Sequence, residues 1–142
     1  MRIPYETMLA EFERVLKKYG FSPERAHEAA EIFAQNSLAG VFSHGLNSFP
    51  RVVEYLRKGE IDPAAEAVCT ASFGAMERWD GQRGFGPLNA RHAIAADVAA
   101  SEPAEPGREV RCPGMGEHRS RKENMELGIP VAEEKWAEVL AM

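Results

Sequence analysis

The chain has 142 residues, 44% hydrophobic and 27% charged, which is ordinary for one globular domain with a modest core. Its formal net charge of -5 argues against nucleic-acid binding, because phosphate contacts need a basic face. No apolar run approaches the ~20 residues of a membrane span, and the first residues lack the apolar core of a signal peptide. The two cysteines, Cys69 and Cys112, are too few for a disulfide framework. We therefore expect a cytoplasmic protein without nucleic-acid or membrane partners.

Two helices are predicted in the first forty residues. Apolar residues recur at helical spacing over residues 5–19, and Gly20 is a natural residue to follow the end of that helix. Ser22 and Pro23 then open a second helix, as N-cap and first helical residue, which should end near Gly40. Several alanines on its inner face would allow the two helices to pack closely.

The segment 43–51, Ser-His-Gly-Leu-Asn-Ser-Phe-Pro-Arg, places a histidine in a glycine-flanked turn. Histidine changes charge near neutral pH, so His44 could give or take a proton during a reaction. Gly45 would let the backbone pass close to another object, because it has no Cβ. A lone histidine at a helix start is, on spacing alone, more often a cap or a packed side chain than a catalyst.

The polar residues of the same segment could hold a ligand. Asn47, Ser48 and Arg51 lie within about a turn of His44 if a third helix starts here. The guanidinium of Arg51 could clamp a carboxylate in a bidentate manner. The third helix should run to about Lys58 and bury an apolar stripe, which would make it a rigid platform for a site.

The middle of the chain predicts a small β-hairpin followed by a helix. Residues 67–73 and 75–80 form two short strands, and the glycine-rich segment 81–86 leads into a helix over 87–100. Strand, glycine turn and helix is the order of a phosphate-binding loop. Asn89 stands where the third glycine of that fingerprint belongs, so we interpret the segment as a structural turn.

The last forty residues begin with a linker and end in two helices. Residues 101–109 are rich in proline and charge, as linkers are. Helices are predicted over 117–127 and 131–140. The spacing of His92, Cys112 and His118 matches no zinc pattern, and we predict no metal site.

The whole segment 43–51 resembles a signature of the non-Rossmann malate/L-lactate dehydrogenase family, and of its 2,3-diketo-L-gulonate reductase branch most of all. The resemblance runs from about residue 5 to 100, with further matches at 40–45, 59–61 and 79–86. It resumes from about 110 to 136, at 111–114, 121–124 and 128–131. Chains of the family are much longer, and the central part, which carries most of their nicotinamide-binding domain, is absent here.

The resemblance implies a fold. We expect a mainly α protein, an orthogonal helical domain with a small β-hairpin, as the remnant of the family's α+β fold. Residues 1–100 and 110–142 would build this single domain over 1–142, joined by the linker 101–109. In the family, the C-terminal segment packs with the N-terminal helices.

The resemblance also implies an activity, the NAD(P)H-dependent reduction of a diketogulonate-like 2-oxo acid to a 2-hydroxy acid. His44 matches the family's histidine and would donate the proton to the carbonyl oxygen. Asn47, Ser48 and Arg51 would bind the substrate. Ser48 is a departure, since the family often has an arginine there, and Arg51 matches another family arginine.

For the cofactor, NAD or NADP, the resemblance points to Gly114, Met115 and Gly116. Met115 stands where the family usually has an acidic or polar side chain, and a thioether cannot replace that hydrogen bond. The family also implies a homodimer. The alternative is a truncated, catalytically inactive helical module for dimerisation or interaction. A third reading is that another polypeptide supplies the central part.

Overall fold

A computed structural model describes residues 1–74, 76–101 and 119–142 of the chain. Over these residues it is mainly helical with a small β-hairpin, which confirms the predicted fold class. The helices are α1 (Tyr5–Lys18), α2 (Pro23–Leu38), α3 (Phe49–Arg57), α4 (Gly86–Ala100), α5 (Arg119–Leu127) and α6 (Glu133–Ala141), with a 3-10 turn at Phe42–His44. The strands are β1 (Arg2–Ile3), β2 (Val68–Phe73), β3 (Met76–Asp80) and β4 (Ile129–Pro130).

The core lies between α1, α2 and α3, and aromatic rings fill its centre. The ring of Phe12 lies 4.3 Å from that of Phe49 and 5.9 Å from that of Phe33, measured between ring centroids. Phe12 and Phe49 are fully buried, and Phe33 is nearly so. Each helix contributes one of these rings because its apolar residues recur at helical spacing, as the sequence predicts.

The start of α2 follows the predicted chemistry. The hydroxyl of Ser22 accepts a hydrogen bond from the backbone N–H of Arg25, and Pro23 occupies the first helical position. The guanidinium of Arg25 then donates to the carbonyls of Pro63 and Ala65, at 3.1 and 2.7 Å. This single side chain fixes the connection between α3 and β2 against the start of α2.

A two-stranded ladder that the sequence does not reveal joins the two ends of the chain. β1 and β4 pair in antiparallel fashion, with Ile3 opposite Ile129. The side-chain amide of Asn124 donates to the carbonyl of Leu38, the last residue of α2, at 2.7 Å. Trp136 is buried on α6. These contacts support the single domain proposed from the sequence, which stays a prediction.

The hairpin and α4 are far less buried than the three-helix core. No residue of β2 or β3 is buried, and among the described side chains of α4 only Leu88 and Asn89 are buried. In the described residues, none of the helices is both long and apolar enough to cross a membrane.

Candidate functional site

The turn that carries His44 is fastened to α2 by one buried serine. The hydroxyl of Ser37 donates to the carbonyl of Phe33 at 2.9 Å, and it accepts from the backbone N–H of Leu46 at the same distance. Ser37 and Leu46 are almost completely buried. Since both bonds are sheltered from water, they fix the backbone of the turn relative to α2.

Gly45 allows this close approach. A Cβ at residue 45 would lie 2.8 Å from the backbone nitrogen of Ser37 and 3.1 Å from the carbonyl oxygen of Phe33, closer than side-chain carbons pack. The object that Gly45 approaches is therefore helix α2 rather than a bound ligand. The glycine serves the position of His44 indirectly, because it brings the turn against the helix.

The His44 side chain is exposed rather than packed in the core. Its Nδ1 atom lies 3.0 Å from the hydroxyl of Ser43. Its backbone carbonyl accepts a bond from the amide of Asn36, at 3.3 Å. Within the described residues Nε2 has no hydrogen-bond partner. The geometry disagrees with the packed-side-chain alternative for this histidine.

His44 lies at the edge of a groove of about 350 Å³, near the lower end of the roughly 300–1,000 Å³ typical of small-molecule sites. Helices α2 and α3, the His44 turn and the start of α4 form its walls. It is lined by Ile32, Phe33, Asn36, Ser43, His44, Ser48, Val52, Ile61, Gly84, Phe85, Gly86 and Pro87. The surface is mostly apolar, and none of these residues carries a permanent charge. An apolar groove with a few polar groups at one edge is typical of a small-molecule site.

The glycine-rich segment 81–86 supplies the wall across from α3, and its own contacts explain its sequence. The side-chain amide of Asn89 donates to the carbonyl of Gly81 at 3.0 Å and closes the loop. A Cβ at Gly84 would lie 2.5 Å from the carbonyl oxygen of Ala65. The asparagine in place of the third glycine thus holds a structural turn.

The predicted site residues separate into two groups. His44 and Ser48 line the groove, although the Ser48 hydroxyl already donates to the carbonyl of Gly45 at 2.9 Å. Asn47 and Arg51 are exposed and do not line it. The structure therefore brings no described arginine to the groove, and Ser48 contributes a hydroxyl where a carboxylate would need a cation.

Some predicted positions lie outside the described residues. Gly114, Met115 and Gly116, the predicted cofactor contacts, fall in the segment that the structure does not describe, as do Cys112 and His118. Among the described residues there is no group of three or more His, Cys, Asp and Glu side chains that could hold a metal ion.

Sequence reasoning missed the residues that build the groove around His44. Asn36 and Ser37 are neighbours near the end of α2, Phe85 directly precedes α4, and each has an unremarkable structural interpretation on its own. The one available signal was the small serine at residue 37, a polar side chain on the otherwise apolar inner face of α2. A polar residue at such a position needs a hydrogen-bond partner, and here the partner is the His44 turn.

Comparison with known proteins decides the family. A family model described as Malate/L-lactate dehydrogenase matches residues 3–99, about two thirds of the chain. The chain belongs to the malate/L-lactate dehydrogenase family. Among curated members, 2,3-diketo-L-gulonate reductase of Escherichia fergusonii is 44% identical over 102 residues, which cover 70% of this chain. The predicted family is thereby confirmed, and the segment 43–51 lies within the matched range. The predicted resemblance of residues 110–136 lies beyond the match and stays a prediction.

Solved structures of the family share the fold. The sulfolactate dehydrogenase of Methanocaldococcus jannaschii superposes with a TM-score of 0.65 at 28% identity, over 70% of this chain and 29% of that one. The δ1-piperideine-2-carboxylate reductase of Pseudomonas syringae gives 0.57 at 27% identity, over 70% and 31%. The chain also spans only 31% of the E. fergusonii reductase. The family fold unit seen here is therefore one part of each longer relative.

Proposed function

We propose that this chain contributes the proton-donating half of an oxidoreductase site that reduces a 2-oxo acid to a 2-hydroxy acid. The observation that carries the proposal is the position of His44: exposed, with Nε2 unpartnered by the described residues, at the edge of an apolar groove within the segment that matches the family. The comparisons favour an oxidoreductase at the family level and do not favour the inactive-module alternative.

The proposed chemistry follows from charge. A carbonyl that gains hydride at carbon develops negative charge on oxygen, and a protonated imidazole beside it can transfer its proton to that oxygen. Ser43, 3.0 Å from Nδ1, would orient the ring so that Nε2 faces the groove. The apolar wall formed by α2 and α4 would hold the carbon skeleton of the substrate, and the Ser48 hydroxyl would contact a polar group on it.

NAD or NADP is the hydride source that the family suggests, but the described residues do not form a complete site for it. A dinucleotide carries a pyrophosphate, and no permanently charged side chain lines the groove. In the loop 81–86, the backbone N–H of Gly84 donates to the carbonyl of Gly81 at 2.7 Å and that of Gln82 to a carboxylate oxygen of Asp80 at 2.9 Å, so neither is free for a phosphate. The rest of the cofactor site must come from outside the described residues.

The test measures two quantities on the purified chain. NADH or NADPH oxidation is followed with 2,3-diketo-L-gulonate and with simpler 2-oxo acids, and the NMR signals of the His44 ring are followed as each acid is titrated without cofactor. His44→Ala should lower any turnover by about 10²–10⁴-fold, the usual value of one acid–base group. His92→Ala, which removes an exposed histidine outside the groove, is the matched control.

Two outcomes would contradict the proposal. One is that no 2-oxo acid shifts the His44 signals and none supports cofactor oxidation. The other is that both histidine variants lose activity equally.

We further propose a homodimer in the cytoplasm, on family resemblance and on the presence of only two cysteines. Sedimentation velocity at several protein concentrations tests the dimer.

A further inference from the structure

A second groove, of about 410 Å³, adjoins the His44 groove. It is lined by Glu31, Ile32, Gln35, Asn36, Arg91 and Arg121, and we call it the arginine groove. Ile32 and Asn36 line both grooves. These two residues are four apart on α2, so their side chains form a row along one side of the helix. The His44 groove lies on one side of this row and the arginine groove on the other.

Helix α4 connects the two grooves in the same way. Pro87, at its start, lines the His44 groove, and Arg91, four residues later, lines the arginine groove. Residues four apart lie on the same side of a helix. Because a helix rises 1.5 Å per residue, the two positions are about 6 Å apart along α4. A ligand extended between α2 and α4 would therefore reach from one groove into the other.

The two grooves differ in charge. No permanently charged side chain lines the His44 groove, whereas two guanidinium groups and the carboxylate of Glu31 line the arginine groove. Arg91 donates to that carboxylate at 3.2 Å. Among the described residues, Arg121 pairs with no carboxylate and donates from Nη1 to the side-chain oxygen of Gln35. The arginine groove thus has one positive charge in excess, although the whole chain carries a net charge of -5.

Gln35 positions the guanidinium of Arg121. Its side-chain amide donates from Nε2 to the hydroxyl of Tyr5 at 3.0 Å, which leaves its oxygen to accept the bond from Arg121. Tyr5 packs against the hydrophobic core, so the amide is supported from behind. A guanidinium has five N–H donors in one plane, and Gln35 uses one of them. The others suit the two oxygens of a carboxylate.

We propose that the arginine groove binds a second carboxylate of the substrate and that Arg121 recognises it. The inference rests on the proposed function, because it places the reacting carbonyl at His44. An extended chain advances about 3.8 Å over three bonds, so the step of about 6 Å along α4 corresponds to about five bonds. The substrate class is then a 2-oxo diacid of about six carbons. The family match does not assign this site, since Arg121 lies beyond residues 3–99.

The experiment compares two acids that differ only at the far end. 2-Oxoadipate has a carboxylate where 2-oxohexanoate has a methyl group. Each is titrated into the full chain without cofactor, the dissociation constant is measured by calorimetry, and the NMR signals of the Arg121 Nε–H and of the His44 ring are followed. We expect 2-oxoadipate to bind about tenfold more tightly, the value of one charge-assisted contact. Both acids should shift the His44 signals, and only the diacid should shift that of Arg121.

Three variants assign the effect to Arg121. Arg121→Gln should abolish the preference for the diacid and leave the affinity for 2-oxohexanoate unchanged. Arg121→Lys keeps the charge without the planar fork and should retain part of the preference. Lys122→Gln is the matched control, because it removes one positive charge from the next residue of α5, which does not line the groove. Circular dichroism establishes that each variant folds, as expected for two exposed side chains.

The proposal is overturned if the diacid does not bind, if the two acids bind equally, or if Arg121→Gln and Lys122→Gln have equal effects. It is also overturned if sodium sulfate at the same concentration shifts the Arg121 signal as much, which would indicate a nonspecific cation. A diacid that shifts Arg121 while neither acid shifts His44 would instead contradict the proposed function and leave the carboxylate site. Equal responses of His44 to both acids with none at Arg121 would contradict the carboxylate site alone.

Discussion

The three-helix core and the region formed by β2, β3 and α4, which we call the hairpin–α4 region, differ in how far their apolar side chains are buried. In the core, Phe12, Phe33 and Phe49 bury one another. In the second region Phe73 and Met76 remain mostly exposed. The family match runs through both regions without a break. The difference is therefore one of burial: the first region buries its large apolar side chains, and the second leaves Phe73 and Met76 exposed.

The candidate site lies where the two regions meet. The His44 turn belongs to the core, through Ser37 and Gly45, while Phe85 and Pro87 at the start of α4 form the opposite wall. His44 is therefore held by the core, and the opposite wall of the groove depends on the start of α4.

The largest expected effect separates the two regions by stability. Phe12→Ala removes a fully buried ring and should lower the free energy of unfolding by about 3–5 kcal/mol. Phe73→Ala, at a side chain that is 67% exposed, should change it by less than about 0.5 kcal/mol. Urea unfolding followed by circular dichroism gives both values. Similar losses in the two variants would mean that Phe73 is buried in solution and that the two regions do not differ in burial.

The next effect tests how the His44 turn is held. Gly45→Ala places a methyl group against the backbone of α2 and should cost about 1–3 kcal/mol of unfolding free energy. Gly86→Ala is the control, since a Cβ there meets nothing within 4 Å and residue 86 is already helical. The measurement is again urea unfolding, with the His44 ring signals in NMR as a local reporter. An unperturbed ring in Gly45→Ala would show that the close approach is not what positions the histidine.

A smaller effect tests whether α5 belongs with the core. Asn124→Ala leaves the carbonyl of Leu38 without its side-chain donor and should cost about 1–2 kcal/mol. Lys122→Ala, at an exposed position of the same helix, should be nearly neutral. If α5 docks as described, the two-state transition shifts as a whole in Asn124→Ala. A separate early transition for the C-terminal segment would argue against the predicted single domain.

The smallest effect is a pH dependence at the surface of α1 and α2. A hydrogen bond to Glu13, at 2.6 Å, raises the pKa of His27 above its ordinary value of 6.5. A raised pKa in the folded state gives stabilisation that is complete below pH 6.5 and is lost as the pH rises through the folded-state pKa. Because the ring is 51% exposed, the loss should be only a few tenths of a kcal/mol.

His27→Gln removes that dependence. Stability is measured by urea unfolding between pH 5.5 and pH 8.5 in both proteins, and we expect the unaltered chain to lose slightly more stability than the variant over this range. Parallel curves would mean that the bond between His27 and Glu13 does not persist in solution.

Much of the fold followed from local patterns. The capping serine of α2 and the aromatic stripes of the first three helices depend on residues close together in the chain. The hairpin and the turn closed by Asn89 did as well. The segment 43–51, on which the family resemblance rests, also consists of consecutive residues, and the comparisons confirm the family over residues 3–99. The catalytic role of His44 and the substrate roles of Asn47, Ser48 and Arg51 stay predictions.

The sequence by itself determined where the helices lie, which of their faces are apolar and which histidine stands in the family signature, because each is encoded by neighbouring residues. Only the tertiary structure decided that β1 pairs with β4, that Gly45 packs on Ser37, and that the start of α4 faces His44. Those contacts join residues far apart along the chain. They depend on the packing of whole helices, which no local pattern specifies.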